Sequence, residues 1–359
     1  GLHAALDWIK KTGIAAIHEK EMALAEQFQR KIKTIPGIHI YGGEKRVAAI
    51  VSCNLADLDS AYVSDCLAEN YGIATRAGVH CAPLMHTHFG TEKQGMVRFS
   101  FSCFNTTEEV EKAVRAMQDI AAENRGKVTA YVGAGGKTSS IRKRAETLRA
   151  EGKRVLILTT TKMMVPQEQE IFAAYEQTGQ ESVILDTGAV SKECRAAEKQ
   201  LKERVQSVLD TYGCCVAGSL IPGTEKFGML PEKLMEDLLY LADEILIEAD
   251  GSAHMPVKAP AEYEPVLFPY MDEVVIVMGA HAIGKPLREV CHRVDYAKEL
   301  LKCDADKIVT AADLETLAEQ GYAIPIQKQY PWMKISKVTG KDIKLCLTAE
   351  KKDKVRDKQ

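Results

Sequence analysis

The sequence predicts an α/β protein built from two domains. Its 359 residues favour two domains as a soft expectation. Before about residue 125 the pattern is α+β, with amphipathic helices and a few short strands. From residue 126 onward, apolar strands alternate with helices, which is typical of a parallel sheet. A glycine-rich turn after the first of these strands indicates a ligand site at the carboxyl edge of that sheet.

These patterns set the domain boundaries. We place the first domain at residues 1–125 and the second at residues 126–320, because the stretch 123–126 is polar and the pattern changes there. The segment 321–359 has a weak signal, and its last ten residues are mostly charged. This third segment therefore stays without an assigned structure.

The first domain carries clear local signals. The apolar spacing predicts a helix over residues 2–35 with a break at Gly13. Residues 71–74 predict a short strand. Thr106 and Glu109 have the spacing of a capping box, so a helix begins there and runs to about Glu123.

Composition excludes several classes of protein. The net charge of -3 gives no general attraction to nucleic acid or anionic membrane, and no apolar run reaches the ~18 residues that span a bilayer. None of the ten cysteines forms a C-x-x-C pair, so we expect a cytoplasmic protein with reduced thiols. The sequence begins at Gly1 without an initiator Met. We therefore expect a fragment of a longer protein.

The glycine-rich turn has the composition of a phosphate-binding loop. Glycines let backbone N–H groups approach a ligand, and the following helix adds positive potential at its N-terminus. The lysine supplies charge for phosphates and the threonine a hydroxyl for Mg²⁺. Glycines alone would also suit a tight strand–helix connection, but the Lys-Thr pair favours the phosphate role. The loop consists of Gly133, Ala134, Gly135, Gly136, Lys137 and Thr138.

A phosphate loop of this kind needs an acidic partner for its metal ion. Glu248 and Asp250 end an apolar strand and supply that partner, although strand-end acids can also be plain solvated residues. Thr160 and Lys162 follow another strand, where ligands of a parallel sheet bind. The sequence thus predicts a Mg-ATP or Mg-GTP site, with Thr138, Glu248 and Asp250 as metal ligands.

The second domain also resembles a known family. The G-x-x-G-K-T spacing is two residues shorter than the common G-x-x-x-x-G-K-[ST] loop and resembles the nucleotide loop of Mur ligases. Over about residues 127–310, five ordered blocks resemble the selenium-dependent hydroxylase accessory family, the YqeC-like proteins. The resemblance implies a nucleotide-binding maturation factor whose partner is a selenium-dependent molybdenum hydroxylase or its cofactor. The blocks are GAGGKTS, LTTTKM, GSLIPGTEKFG, LIEADGSAHMPVKAPAEYEPV and His292-Arg293.

A cysteine lies in a Gly- and His-bearing loop of the first domain. Arg76 and His80 are close to Cys81 in sequence, and a nearby cation favours the reactive thiolate. Arg98, on the next strand, suits a two-pronged contact with a carboxylate. An ordinary loop cysteine, or a zinc site of Cys81 with neighbouring histidines such as His86, are the alternatives.

The same stretch resembles a second family. Residues 1–123, and above all GIATRAGVHCAP (72–83) and VRFSF (97–101), are similar to the C-terminal domain of cysteine desulfurases of the class V aminotransferase fold. The resemblance implies the truncated small domain of a transferase that depends on pyridoxal phosphate (PLP), and a homodimer. Cys81 would accept sulfur or selenium, Arg98 would bind the substrate carboxylate, and Arg76 and His80 would assist them.

Only the family implies PLP, because its lysine would lie on a preceding domain. We therefore expect a fusion in which Cys81 mobilises sulfur or selenium and the nucleotide domain serves the hydroxylase. Whether the chain is an enzyme stays open. The alternatives are a nucleotide-gated scaffold without turnover, and a fragment of a PLP-dependent cysteine desulfurase.

Overall fold

The chain forms two compact units. The computed structural model describes residues 1–42, 47–175 and 192–339. The described residues of the first unit are 1–42, 47–125, 192–198 and 232–240. Those of the second unit are 126–175, 199–231 and 241–339. Residues 340–359 of the unassigned C-terminal segment lie outside the described residues.

The first unit is built on a small antiparallel sheet. Its elements up to residue 125 are α1 (Leu2–Thr12), α2 (Ile14–Ile32), β1 (Ile38–Tyr41), β2 (Ile50–Leu55), α3 (Ser60–Tyr71), α4 (Pro83–Phe89), β3 (Val97–Ser100) and α5 (Thr107–Asn124). The strand order is β1–β2–β3, with antiparallel pairing throughout. The helix α2 packs against α5 and against the sheet, where the rings of Phe28 and Phe99 lie 4.5 Å apart.

Local signals in this unit are confirmed in part. The break at Gly13 is present, with a φ of 86° between α1 and α2. The strand expected over residues 71–74 is wrong, because Tyr71 is the last residue of α3. Gly72 adopts a φ of 64° and its N–H donates to the carbonyl of Ala68, which closes the helix instead.

A nine-stranded sheet forms the centre of the second unit. From residue 126 the chain contains β4 (Lys127–Gly133), α6 (Lys137–Ala150), β5 (Val155–Thr159), β6 (Lys162–Met164), β7 (Phe172–Tyr175), α7 (Lys192–Tyr212), β8 (Cys214–Leu220), β9 (Lys226–Gly228), α8 (Glu232–Leu238), β10 (Glu244–Glu248), β11 (Val257–Lys258), β12 (Glu273–Met278), α9 (Leu287–Val290), β13 (Cys291–His292), α10 (Val294–Leu301), α11 (Ala311–Thr316), a π-helix (Leu317–Ala323), α12 (Ile324–Gln329) and β14 (Lys334–Thr339).

The sheet order places the glycine-rich turn and the acidic strand side by side. The order is β14-β12-β4-β10-β5-β8-β9-β6, with β7 pairing with β8. The first six strands of this path run parallel, and Glu248 of β10 lies in register with Tyr131 of β4 and Thr159 of β5. Ile141, Ala145 and Leu148 bury one face of α6. The expected alternation of strands and helices in a parallel sheet is therefore present.

The sheet continues beyond residue 320. The strand β14 pairs in parallel with β12 along its whole length, so residues 334–339 form an edge of the sheet. This part of the unassigned segment is therefore structured. Across the ranges that the structure covers, no helix combines the length and the apolar character needed to cross a membrane.

The capping box of α5 allows a stability test. The Thr106 hydroxyl accepts from the Glu109 N–H, and the Glu109 carboxylate accepts from the Thr106 N–H. Thr106→Ala removes the first of these hydrogen bonds. We therefore expect the free energy of unfolding of the first unit, measured by urea titration, to fall by about 1 kcal/mol. The control is Thr107→Ala, at an exposed neighbouring position. An equal loss in both variants would contradict the role of the cap.

Candidate functional site

The glycine-rich loop is shaped by close backbone contacts. Gly133 and Gly135 have φ values of 88° and 78°, in the left-handed region. A Cβ on Gly133 would lie 2.2 Å from the Val277 carbonyl oxygen, and one on Gly135 would lie 2.4 Å from the Pro256 carbonyl oxygen. The Ala134 N–H also donates to Val277 at 2.8 Å. Both positions therefore require glycine, and the loop is fixed against the end of β12.

Lys137 lies inside this loop rather than in solvent. Its side chain is buried, and Nζ donates to the Gly133 carbonyl at 2.6 Å and to the Ser252 hydroxyl at 3.3 Å. Burial lowers the pKa of Lys137, while the nearby carboxylates of Glu248 and Asp250 act in the opposite direction. The loop thus holds a cation at the N-terminus of α6, where the helix dipole also favours an anion.

Glu248 and Thr138 are joined directly. The Thr138 hydroxyl donates to Glu248 Oε2 at 2.9 Å. Burial raises the pKa of Glu248, partly offset by Lys137 and by this hydrogen bond. The hydroxyl and the carboxylate are both oxygen ligands of the kind that Mg²⁺ prefers. The structure thus brings these two residues together, and their role as metal ligands stays a prediction.

Asp250 contacts the loop from the other side. It is buried, and its Oδ2 accepts from the Gly133 N–H at 3.1 Å and from the Tyr322 hydroxyl at 2.7 Å. Its Oδ1 pairs with Lys258. Both carboxylate oxygens thus have protein partners, which makes Asp250 an anchor of the loop. Glu248 is the carboxylate that faces Thr138.

A buried ion network supports this anchor. Lys258 is fully buried, pairing with Asp250 and, at 2.8 Å, with Glu264. Arg293 lies 3.1 Å from Glu264 and adopts a φ of 64°. The His292-Arg293 block noticed in the sequence thus belongs to the surroundings of the loop. The roles of Lys258, Glu264 and Tyr322 were not predicted, although the first two lie in the longest sequence block.

Thr160 and Lys162 have different surroundings. Thr160 is buried, with its N–H donating to the Glu248 carbonyl at 3.0 Å and its hydroxyl to Val266 at 3.1 Å. It therefore fixes the end of β10. Lys162 is exposed and lines a cavity of about 930 Å³, together with the loop and Glu248.

The described residues limit what kind of metal site can form. Within ranges 1–42, 47–175 and 192–339, no group of three or more His, Cys, Asp or Glu residues is arranged to hold a metal ion. Within these ranges, the zinc alternative at Cys81 therefore has no set of three such ligands. Mg²⁺, by contrast, often takes only one or two carboxylates and completes its shell with phosphates and water. Glu248 and Thr138 fit that pattern.

The first unit presents Cys81 on an exposed turn. Arg76 Nη2 lies 3.6 Å from the Cys81 sulfur, and the His80 ring lies 2.8 Å from the Arg76 carbonyl. His80 and Cys81 have φ values of 53° and 58°. Burial lowers the pKa of His80, so its ring is neutral over a wider pH range. The structure thus brings Arg76, His80 and Cys81 together.

Arg98 is attached to the same loop through the backbone. Arg76 and Arg98 exchange two backbone hydrogen bonds, of 2.9 and 3.2 Å. Within the residues that the structure covers, the buried Nε of Arg98 has no hydrogen-bond partner. An unsatisfied guanidinium nitrogen is costly unless a ligand completes it, and a carboxylate is its natural partner.

Comparison with known proteins assigns the second unit. The family model described as "YqeC protein" matches residues 129–295. The protein "Uncharacterized protein YqeC" of Escherichia coli (strain K12) is 34% identical over 203 residues, which cover 55% of this chain and 70% of that protein. The chain belongs to the YqeC family.

The first unit matches a different family. The model "Aminotransferase class-V" matches residues 1–113. A probable cysteine desulfurase of Methanothermobacter thermautotrophicus is 33% identical over 122 residues, covering 34% of this chain and 30% of that protein. For the cysteine desulfurase of Klebsiella pneumoniae (strain 342) the identity is 36% over 121 residues, covering 33% and 29%. The cysteine desulfurase CsdA from Escherichia coli has a solved structure with a TM-score of 0.30 at 28% identity, covering 33% and 29%.

These matches establish a fusion. A class-V aminotransferase-like segment with the fold of PLP-dependent transferases precedes a YqeC segment with a parallel sheet. The chain spans about 30% of the length of the cysteine desulfurases that it matches. The family relation of the first segment implies PLP as the cofactor of its relatives.

The buried ion network gives a second stability test. Lys258→Met leaves Asp250 and Glu264 without their shared cation, and breaking a buried pair typically costs about 3–5 kcal/mol. We expect a clear loss of thermal stability, measured by circular dichroism. The matched control is Lys285→Met at an exposed position, which should stay within about 0.5 kcal/mol of the parent chain. A silent Lys258→Met variant would exclude a structural role for the network.

Proposed function

We propose that the second unit binds Mg-ATP or Mg-GTP and uses it in the maturation of a molybdenum hydroxylase that depends on selenium. One observation carries the nucleotide assignment: buried Lys137 lies inside a glycine loop whose Thr138 is hydrogen-bonded to Glu248 of the adjacent strand. Cation, helix N-terminus and metal-type oxygens converge at one point, as phosphate binding requires.

Each residue of the loop has a part in this proposal. The backbone N–H groups of Gly135, Gly136 and Lys137 bind phosphate oxygens. The Lys137 ammonium gives up its hydrogen bond to the Gly133 carbonyl and donates to a phosphate oxygen instead. Glu248 and Thr138 hold the metal, which when bound neutralises charge on the phosphates. Asp250 keeps the Gly133 N–H in place. Thr160 fixes the strand end that carries Glu248, and Lys162 adds a cation at the cavity.

The hydroxylase context rests on the sequence blocks. All five blocks of the YqeC-like resemblance fall between residues 133 and 293, and each of them contributes residues to the loop, its buried network or the cavity. The fused first unit supports a chalcogen as the cargo. We propose that Cys81 receives sulfur or selenium from a cysteine-type substrate, and that Arg98 binds the carboxylate of that substrate.

The five lysines that the structure describes before β2 do not form a PLP site. Lys20 donates a hydrogen bond to the Cys103 carbonyl, and Lys31 forms an ion pair with Glu111. The other described lysines before β2 are exposed on helices or at helix ends: Lys10, Lys11 and Lys33. Lys45 lies outside the described residues. We therefore propose that the PLP lysine acts from another domain or chain, as in a homodimer with a complete desulfurase.

A cytoplasmic location fits this proposal. None of the nine cysteines that the structure covers forms a disulfide, and four of them are not buried. Thiols that stay reduced, and persulfide or selenium chemistry at Cys81, suit a reducing compartment.

Lys137→Ala tests the nucleotide site. Loss of one charge-assisted contact is typically worth about 1.5–3 kcal/mol, so we expect the affinity for Mg-ATP or Mg-GTP to fall about ten- to hundredfold in isothermal calorimetry. Lys143→Ala, at an exposed position of the same helix, is the control. Unchanged affinity for both nucleotides in Lys137→Ala would place the site elsewhere.

Phosphate release from the bound nucleotide separates a catalyst from a scaffold. If the unit turns over, Mg-ATP or Mg-GTP yields inorganic phosphate, and Glu248→Gln lowers the rate because a metal ligand loses its charge. Tight binding without phosphate release, also in the presence of the client hydroxylase, would instead support the nucleotide-gated scaffold.

Cys81→Ser tests the chalcogen role. The full chain is mixed with the large PLP domain of a cysteine desulfurase and with cysteine, and persulfide is located by mass spectrometry. We expect the label on Cys81 and its loss in Cys81→Ser, because this thiol is exposed beside Arg76. Cys103→Ser is the control and keeps the label. An unlabelled parent chain under these conditions would count against sulfur transfer at this site.

A further inference from the structure

The cavity beside the glycine-rich loop extends well beyond the loop itself. Its volume of about 930 Å³ is near the upper end of the roughly 300–1,000 Å³ typical of small-molecule sites. It follows one side of α6 from Thr138 to Arg149. A helix rises 1.5 Å per residue, so these positions are roughly 16 Å apart. The cavity therefore extends far from the point where phosphate binds.

The floor of the distant part is apolar. Ile157 of β5 and Val216 of β8 line it from the sheet, with Met163 of β6 beside them. These side chains belong to the buried cluster of the second unit, yet they face open space here. An apolar floor of this kind suits the body of an organic molecule.

The sheet order relates the position of the apolar floor to the side of the loop that would hold the metal. Thr138 and Glu248, the two residues that would hold the metal, lie on the β10 side of β4. β5 and β8 follow β10 on that same side. The apolar floor therefore lies on the side of the loop where the metal would be held.

Charged side chains line the same cavity. Arg142, Arg149, Lys162 and Lys226 contribute cations, and none of the four forms an ion pair with any residue that the structure describes. Besides Glu248, three glutamates line the cavity: Glu146, Glu168 and Glu170. A molecule with an anionic group for the arginines and donor groups for the glutamates would match both sets.

We propose that this cavity holds a second small substrate beside the nucleotide: an organic anion with an apolar body and hydrogen-bond donors. The proposal rests on the nucleotide-binding function proposed above, which it extends by a substrate class. The second substrate and the nucleotide bind at the same time, with the apolar body over Val216 and the anionic group beside Arg142 and Arg149.

The dye 8-anilinonaphthalene-1-sulfonate is a suitable probe, because it combines aromatic rings, one sulfonate and one N–H donor. The full chain is titrated with the dye by fluorescence, with and without saturating Mg-ATP. We expect saturable binding that changes less than twofold when Mg-ATP is present. The double variant Arg142→Ala/Arg149→Ala, at exposed positions, should bind the dye at least fivefold more weakly. Lys143→Ala, which does not line the cavity, should stay within twofold.

Two results would overturn the inference. Competitive displacement of the dye by Mg-ATP would assign the apolar floor to the nucleotide itself. Equal dye affinity in the double variant and the parent chain would place the dye elsewhere. Failure of Mg-ATP and Mg-GTP to bind the parent chain in calorimetry is a separate outcome, since it refutes the proposed nucleotide function whatever the dye does.

Discussion

The hydrogen bonds of the buried Asp250 carboxylate determine the shape of the site around the glycine-rich loop. They connect the end of β10, the loop after β4, the short strand β11 that carries Lys258, and the π-helix. A buried carboxylate without partners is costly, so these four parts are stable only together. The same strand end delivers Glu248 to Thr138. Two acids that are two residues apart thus have different roles. Asp250 holds the loop, and Glu248 faces Thr138.

Much of the central sheet could be predicted from the sequence. The strands at 244–248 and 273–278 coincide with their apolar runs, since a buried parallel strand must be apolar throughout. The edge strand β14 was missed because KISKVT alternates and carries two lysines. The sequence likewise singled out Lys137, Thr138 and Glu248, and the structure places them together at the loop. The partners of Asp250 did not follow from spacing, because Tyr322 is 72 residues away and a buried lysine has no local signature.

The two units differ in the exposure of their candidate functional groups. Lys137 is buried, and the loop carbonyl and Ser252 substitute for the water that it loses. Such a group is already positioned before a ligand arrives, which limits the entropy lost on binding. Cys81 is instead exposed on a turn with two left-handed residues, beside an arginine. An exposed thiol is accessible to a group carried by another molecule, whereas a buried ammonium is accessible only from the cavity beside it.

The Tyr322 hydroxyl has a consequence for where this domain ends. The match to the YqeC family model stops at residue 295, and the recognisable sequence blocks stop at Arg293. Yet a buried tyrosine beyond them donates to the carboxylate that fixes Gly133. A shortened chain that kept every motif and ended near residue 310 would leave that carboxylate one donor short and also remove the edge strand beside β12. Motif boundaries and the physical boundary of the site are therefore different, and the smallest self-sufficient version of this domain reaches at least residue 339.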